Sequence, residues 1–365
     1  MKVFITGGSG FIGQRVVRQL VANGHDVYGL TRSGKGAAIL EDLGATAILG
    51  DVLDRRSMRI GMSGSDCVIH MGAMNRLGEQ NWRQMEVVNV SGTRNVLELA
   101  LDLSIPKIIY TSTVSVFGDT QGITYDETAK PEIPDQSHFA RTKWLAHYDV
   151  VLPMIEAGAP ITILMPGLGY GPGDPGLIGE LMSRFYANRF PFPMLPGPDT
   201  VVTFAHVDDI ADGIILGMEK GKIGESYILA GPAISFGEIV DFWSRMTGRP
   251  KPVIRVNGSL LRPLVPIFDS LAAFAPLSSV FTGEAVGSLG GTFAASGQKA
   301  IEELGWKNRS IQAGMLDTFN AISMDADGRP DKPLHTKNLV KIGIALAVLV
   351  LLYRLIFRNK PKSEE

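Results

Sequence analysis

The sequence predicts an α/β fold: a doubly wound parallel sheet with helices on both faces, followed by a smaller C-terminal lobe. Three observations predict it. Short apolar runs alternate with helix-periodic segments up to about residue 165, the pattern of consecutive βαβ units. A glycine-rich turn joins the first run to the first helix-like segment. The composition, 45% hydrophobic and 20% charged over 365 residues, suits a globular chain long enough to bury a full α/β core and a second lobe.

The strand expectations are Lys2–Thr6, Asp26–Leu30, Thr46–Leu49, Cys67–Met71, Lys107–Ser112 and Ile161–Pro166, with helices such as Phe11–Asn23 and Val90–Leu103 between them. After Pro166 the pattern loosens. Segment 167–204 is rich in Gly, Pro and aromatics and reads as irregular loops and short helices. His206-Val-Asp-Asp opens a further helix, with Asp208 or Asp209 as its N-cap. The expected organisation is a nucleotide-binding domain over 1–166, completed by 205–230, and a substrate lobe over 167–204 and 231–324. A polar, proline-containing linker over 325–338 then leads to 339–357.

That last stretch, Leu339–Phe357, is apolar around its whole circumference and about as long as a bilayer-spanning helix. Lys341 and Arg354 are placed to snorkel to the interfaces. It predicts a single C-terminal transmembrane helix holding the protein at a membrane; the competing reading is a buried or amphipathic terminal helix. No export signal is evident at Met1, so the folded domain is expected on the cytoplasmic side. The net charge of −2 gives no reason to expect nucleic acid. The lone cysteine, Cys67, cannot form an internal disulfide. No metal is expected.

Thr6-Gly-Gly-Ser-Gly-Phe-Ile-Gly13 satisfies both G-x-x-G-x-x-G (Gly7, Gly10, Gly13) and G-x-G-x-x-G (Gly8, Gly10, Gly13). Between a strand and a helix, this pattern lets backbone approach a pyrophosphate at a helix N-terminus. Gly7, Gly8, Ser9, Gly10, Phe11, Ile12 and Gly13 are therefore candidate cofactor residues in a Rossmann-type domain. The second strand ends in Gly29-Leu-Thr-Arg-Ser33 with Lys35 beyond, not in the acidic residue that would hold the ribose hydroxyls of NAD. Arg32 can fork onto a 2′-phosphate, which predicts NADP, with NAD as the alternative; the bland reading of Arg32 is a solvated surface arginine. Asp51 is placed to accept from the adenine amino group, unless it is a helix cap.

Together with the glycine loop, Asp66-Cys-Val-Ile-His-Met-Gly-Ala73, Asn89-Val-Ser-Gly-Thr-Arg-Asn95, Tyr110-Thr-Ser-Thr-Val-Ser-Val-Phe-Gly118, Pro166-Gly-Leu-Gly-Tyr-Gly-Pro-Gly-Asp174 and His206-Val-Asp-Asp209 resemble the extended short-chain dehydrogenase/reductases over residues 1–320. The resemblance implies cofactor contacts from Val52, Gly72, Ala73, Lys143 and Pro166. It also implies a pairing of two subunits through a four-helix interface, hence a homodimer. In that family a hydroxyl residue, a tyrosine and a lysine four residues later carry the proton chemistry. Thr113 matches the hydroxyl and Lys143 the lysine, but Phe139 stands at the tyrosine position in Ser137-His-Phe-Ala-Arg-Thr-Lys143. Thr113, Ser115, Tyr125 and Tyr170 are each conceivable substitutes; the sequence selects none.

Nucleotide-sugar enzymes of the family carry a basic residue shortly before the His-Val-Asp-Asp segment. Here Val202 stands there, with Arg189 upstream. The apolar stretch Leu260–Phe281, followed by Thr292–Trp306, resembles the branch acting on hydroxysteroids, sterol carboxylates and dihydroflavonols. The expected function is thus an NAD(P)-dependent oxidoreductase or epimerase-type enzyme acting on a lipophilic hydroxy or keto compound at a membrane surface. A non-catalytic NADP-binding sensor or scaffold and a nucleotide-sugar epimerase or dehydratase are the alternatives.

Overall fold

In the computed structural model, the described residues are 1–75, 81–134, 137–188, 194–266, 268 and 282–327. Met1–Ile322 form one compact unit. Residues 323–365 form a second, of which only the end of the helix Ile311–Asp327 is described.

Seven strands make one parallel sheet: β1 Lys2–Thr6, β2 Asp26–Thr31, β3 Thr46–Leu49, β4 Cys67–His70, β5 Ile108–Thr111, β6 Ile161–Pro166 and, much later in the chain, β10 Ser226–Leu229. Their spatial order is β10-β6-β5-β4-β1-β2-β3, and all six pairings are parallel. The order reverses between β1 and β4. Ligands of open α/β sheets bind at the carboxyl ends of the strands flanking such a reversal. β4, β5 and β6 are fully buried, which explains their apolar sequences.

The connecting helices are α1 Phe11–Ala22, α2 Gly34–Asp42, α3 Arg55–Met62, α4 Trp82–Glu86 and α5 Gly92–Asp102. They continue with α6 His138–Ala146, α7 Leu152–Glu156, α8 Leu177–Tyr186, α9 Val207–Lys220 and α10 Phe236–Thr247. Single π-turns, Val87–Ser91 and His147–Val151, join α4 to α5 and α6 to α7. One apolar core, including Val96, Leu97, Ala146 and Val150, packs α5 and the α6–α7 region onto one face of the sheet. Another, including Val16, Leu20, Ile210 and Ile214, packs α1 and α9 onto the other.

A third core, around Phe185, Trp243 and Phe319, belongs to the smaller lobe. Segment 167–204, expected to be largely irregular, holds β7 Leu168–Tyr170, the ten-residue α8, β8 Met194–Pro196 and the start of β9 Val201–His206. Its apolar residues Ile178, Leu181, Met182 and Phe185 recur at helical spacing and are buried; the neighbouring glycines and prolines masked that period. β9 is a hub, paired with β7, β11 Ala233–Ser235 and β12 Thr292–Phe293. The α9 cap is also corrected. His206 occupies the N-cap, its ring accepting from the Asp208 backbone N–H, and Asp208 and Asp209 lie in the first turn.

The expectation of a C-terminal transmembrane helix, and with it a membrane-anchored location, is overturned. No helix among the described residues is long and apolar enough to cross a membrane. The expectation rested on 339–357, which, with 328–338, lies outside the described residues. Circumferential hydropathy over about twenty residues is a necessary feature of a span and not a sufficient one.

Candidate active site

The glycine loop follows β1 directly. Gly7 takes φ +78°, and a Cβ there would press into the Met71–Gly72 backbone at the end of β4. A Cβ at Gly13 would collide with the Gly7 carbonyl oxygen and with Gly8, so only glycine lets α1 start this close to the strand. Gly10 is different: it is exposed and is the N-cap of α1, with no side-chain cap and no acidic residue in the first turn. The first N–H groups of α1 therefore remain available to an anion. Ser9, Phe11 and Ile12 flank it half-buried, and Gly8 is buried against Leu40 and Val17. This cradle fits a dinucleotide pyrophosphate.

At the adenine end, Arg32 directly precedes Ser33, whose side chain caps α2. Its guanidinium is exposed and 4.0 Å from the Asp51 carboxylate. Asp51 is not a helix cap: its Oδ1 accepts from the Leu53 backbone N–H at 2.9 Å, and Asp54 caps α3. Val52 rests on Gly92, and its carbonyl accepts from Asn95 at 3.1 Å. Gly72 donates its N–H to Thr6 Oγ1 at 3.0 Å, and Ala73 follows, exposed. Pro166 closes β6 opposite Leu229.

Lys143 reaches the end of β5 at Thr111, two residues before Thr113. The Lys143 ammonium donates to the Thr111 carbonyl at 2.8 Å and lies 4.6 Å from the Tyr110 ring centroid. Lys143 is buried, and burial lowers its pKa to about 7. Phe139 and Lys143, four apart on α6, share a face. Phe139 is half-buried and presents a ring without a hydroxyl. Thr113 caps the 3₁₀ turn Val114–Phe117. Its Oγ1 accepts from the Ser115 backbone N–H at 3.2 Å and donates to Ser115 Oγ at 3.1 Å.

The two tyrosines considered as substitutes are engaged elsewhere. Tyr170 meets Phe204 and His206 edge-on, with its hydroxyl against Gly314, and burial raises its pKa. Tyr125 packs edge-on against Phe117.

Several site-supporting residues were not singled out from the sequence. Thr6 Oγ1 and His70 Nδ1 are 2.6 Å apart, and His70 Nε2 and Thr93 Oγ1 are 2.9 Å apart. Thr93 gives its proton to the Asn89 carbonyl at 2.6 Å. It must therefore accept from His70 Nε2–H, so His70 Nδ1 accepts from Thr6. Asn89 clamps the Met74 backbone at both ends and donates to Thr142 at 3.0 Å. One buried chain thus links the Thr6–Gly72 junction to the helix carrying Lys143. Burial, and secondarily Lys143, lowers the His70 pKa to about 3, so the ring stays neutral and the tautomer is set. The signal was present: these are polar residues inside otherwise apolar strand and helix segments.

The His-Val-Asp-Asp segment serves the scaffold. Buried Asp209 accepts from the Arg309 guanidinium at 2.8 Å and from its backbone N–H at 2.9 Å, while its carbonyl accepts from Trp306 at 2.7 Å. His206, Asp208 and Asp317 converge, but the Asp208 carboxylate is already 3.6 Å from Arg15 and 3.8 Å from Arg309. His206 Nδ1 faces Asp208 while Nε2 faces Asp317 at 3.3 Å. The ring spans two carboxylates, and guanidinium groups already supply the positive charge.

Residues 3–230 match the model of the NAD dependent epimerase/dehydratase family. The chain is 28% identical to sterol demethylase protein B of Methylococcus capsulatus, over 74% of this chain and 82% of that protein. It is 30% identical to 2-alkyl-3-oxoalkanoate reductase of Stenotrophomonas maltophilia, over 69% of this chain and 77% of that protein. Among solved structures, that of gox2253 superimposes with a TM-score of 0.76 at 29% identity, covering 88% of this chain and 98% of that one. The strand order and the glycine loop between β1 and α1 agree with these likenesses, and the chain belongs to the NAD-dependent epimerase/dehydratase family, with the extended short-chain dehydrogenase/reductase fold.

Proposed function

We propose that this chain is an NADP-dependent oxidoreductase that interconverts a lipophilic ketone and its alcohol, the substrate being sterol-, terpenoid- or flavonoid-like. The observation that carries the substrate class is at Val202. It pairs with Ile234 on one side and Phe293 on the other, and it packs with Ile234 against the apolar core of the small lobe. A diphosphate would call for a guanidinium or ammonium at this strand position; an apolar ketone does not. The names of the two relatives, sterol demethylase protein B and 2-alkyl-3-oxoalkanoate reductase, point the same way. Arg189 and most of the apolar stretch (267 and 269–281) lie outside the described residues.

When bound, a nicotinamide cofactor supplies or accepts the hydride. The protein's own part is to seat the pyrophosphate on the α1 N-terminus, hold a 2′-phosphate with Arg32, and bring Lys143 to the ribose. No carboxylate among the described residues pairs with buried Lys143, so the hydroxyls and phosphates of a bound cofactor would favour its charged form.

The test is titration with NADPH and NADH, followed by a panel of 2-undecanone, a 3-oxo steroid, a flavanone and UDP-glucose. NADPH is expected to bind more tightly than NADH, and Arg32→Ser to weaken NADPH alone by about 10–100-fold, the worth of a charged hydrogen bond. Turnover of UDP-glucose alone would overturn the substrate class. Phe139 favours a second reading, a non-catalytic NADP-binding module; NADPH binding without turnover of any ketone by wild type would establish it.

A further inference from the structure

The family's proton-donating tyrosine is Phe139 here, which leaves the substrate oxygen without its usual partner. A replacement needs a hydroxyl that is near Thr113, partly accessible, and free to give its proton outward. Most nearby hydroxyls fail one condition. Ser112 Oγ is buried and 2.8 Å from His147 Nδ1. Thr142 gives its proton to the Phe139 carbonyl at 3.0 Å. Thr111 and Tyr110 are buried, with their hydroxyl oxygens enclosed.

Ser115 meets all three. It is half-buried, one residue beyond Val114 in the turn that Thr113 caps. Thr113 has one hydroxyl proton, directed at Ser115 Oγ. Thr113 Oγ1 also accepts the Ser115 backbone N–H, so Thr113 can accept further bonds but has no second proton to give. The Ser115 hydroxyl accepts that proton and keeps its own. The hydrogen bond from Thr113 polarises the Ser115 O–H and strengthens it as a donor.

We propose that Ser115 donates the proton to the substrate oxygen in place of the missing tyrosine hydroxyl, with Thr113 resupplying it. This rests on the ketone-reductase reading above. In reduction, a hydride adds to the carbonyl carbon and the C=O π pair moves onto oxygen. The Ser115 O–H bond breaks as the product O–H bond forms, and the Thr113 proton crosses its 3.1 Å hydrogen bond to Ser115 Oγ. A solvent proton restores Thr113. One ketone, one hydride and one proton give one alcohol, and Ser115 and Thr113 end as they began. A serine hydroxyl and a product alcohol have similar proton affinities, so the transfer is close to thermoneutral.

The experiment compares the full chain with Ser115→Ala, Ser115→Thr, and Ser115→Ala combined with Phe139→Tyr, on whichever panel ketone turns over best. Ser115→Ala is expected to lower kcat by about 100-fold or more, the usual worth of a positioned acid, with KM changed less than about threefold. Ser115→Thr should retain most activity, and Phe139→Tyr should restore it in the Ser115→Ala background. A second readout needs no turnover. With NADP⁺ bound, the infrared C=O stretch of the bound ketone should be shifted to lower frequency in wild type, and should relax in Ser115→Ala. Wild-type turnover with unchanged kcat and C=O stretch in Ser115→Ala would overturn the proposal and leave the reductase reading standing. No ketone turnover by wild type despite NADPH binding would overturn both.

Discussion

Lys143 reaches across from α6 to the Thr111 carbonyl at 2.8 Å, and in doing so buries an amine. The contact fixes the Lys143 ammonium where β5 ends, two residues before Thr113. Its cost is desolvation, which lowers the Lys143 pKa from 10.5 to about 7. The arrangement is unfavourable by itself.

Between pH 7 and 10.5 the unfolded lysine is protonated and the folded one increasingly is not. The unfolded state therefore binds more protons, and stability rises with pH across that window, by up to about 1.4 kcal/mol per unit. Lys143→Met should be more stable than wild type near neutrality by roughly 1–3 kcal/mol, because it removes a buried amine, while weakening NADPH binding. The stability difference should shrink toward pH 10.5. Chemical denaturation of both proteins at several pH values measures this; a pH-independent difference would contradict it.

His70 and His147 are both buried, and desolvation, with Lys143 nearby, lowers each pKa from 6.5 to about 3. Below pH 6.5 the unfolded state takes up protons that the folded state refuses, so stability falls as pH drops from 6.5 toward 3. His147→Gln removes one of the two groups while keeping a polar partner for Ser112. Its stability is expected to fall less steeply over that window, by up to about 1.4 kcal/mol per unit, as followed by urea midpoints. An unchanged slope would mean that His147 is accessible to protons in the native state.

The Asp209–Arg309 pair should behave as a buried tie. Asp209 is almost wholly buried, its carboxylate holding both the guanidinium and the backbone N–H of Arg309. Removing one partner of such a pair strands the other, at about 3–5 kcal/mol. Arg309→Ala should cost about 3 kcal/mol, because it strands the buried Asp209 carboxylate, and Asp209→Ala somewhat less, because the arginine it strands is one-third exposed and keeps Asp208 and Asp317 nearby. The double variant should lose much less than the sum of the two. Strict additivity in thermal or chemical unfolding would show that the two do not act as a pair.

The sheet was legible chiefly because β1, β4, β5 and β6 are short apolar runs buried over nearly their whole length. β1, β3 and β6 match their expected bounds, and β2, β4 and β5 differ by a residue at one or both ends. The glycine loop was legible for a steric reason: the Gly7 and Gly13 positions have no room for a Cβ. Local order in segment 167–204 was not. The period of α8 is short, and its flanking glycines and prolines read as loop.

The sequence by itself therefore determined the parallel α/β core, the pyrophosphate cradle and the absence of a hydroxyl at Phe139, because each depends on local pattern or on residue identity at a motif position. Only the tertiary structure decided that His70, Thr93, Asn89 and Thr142 form one buried chain between the glycine loop and α6. It also decided that Asp209 ties to Arg309 a hundred residues on, and that Thr113 directs its proton at Ser115. The reason is physical: a hydrogen bond depends on distances of a few tenths of an ångström and on which donors are already spent, and neither is written in residue spacing.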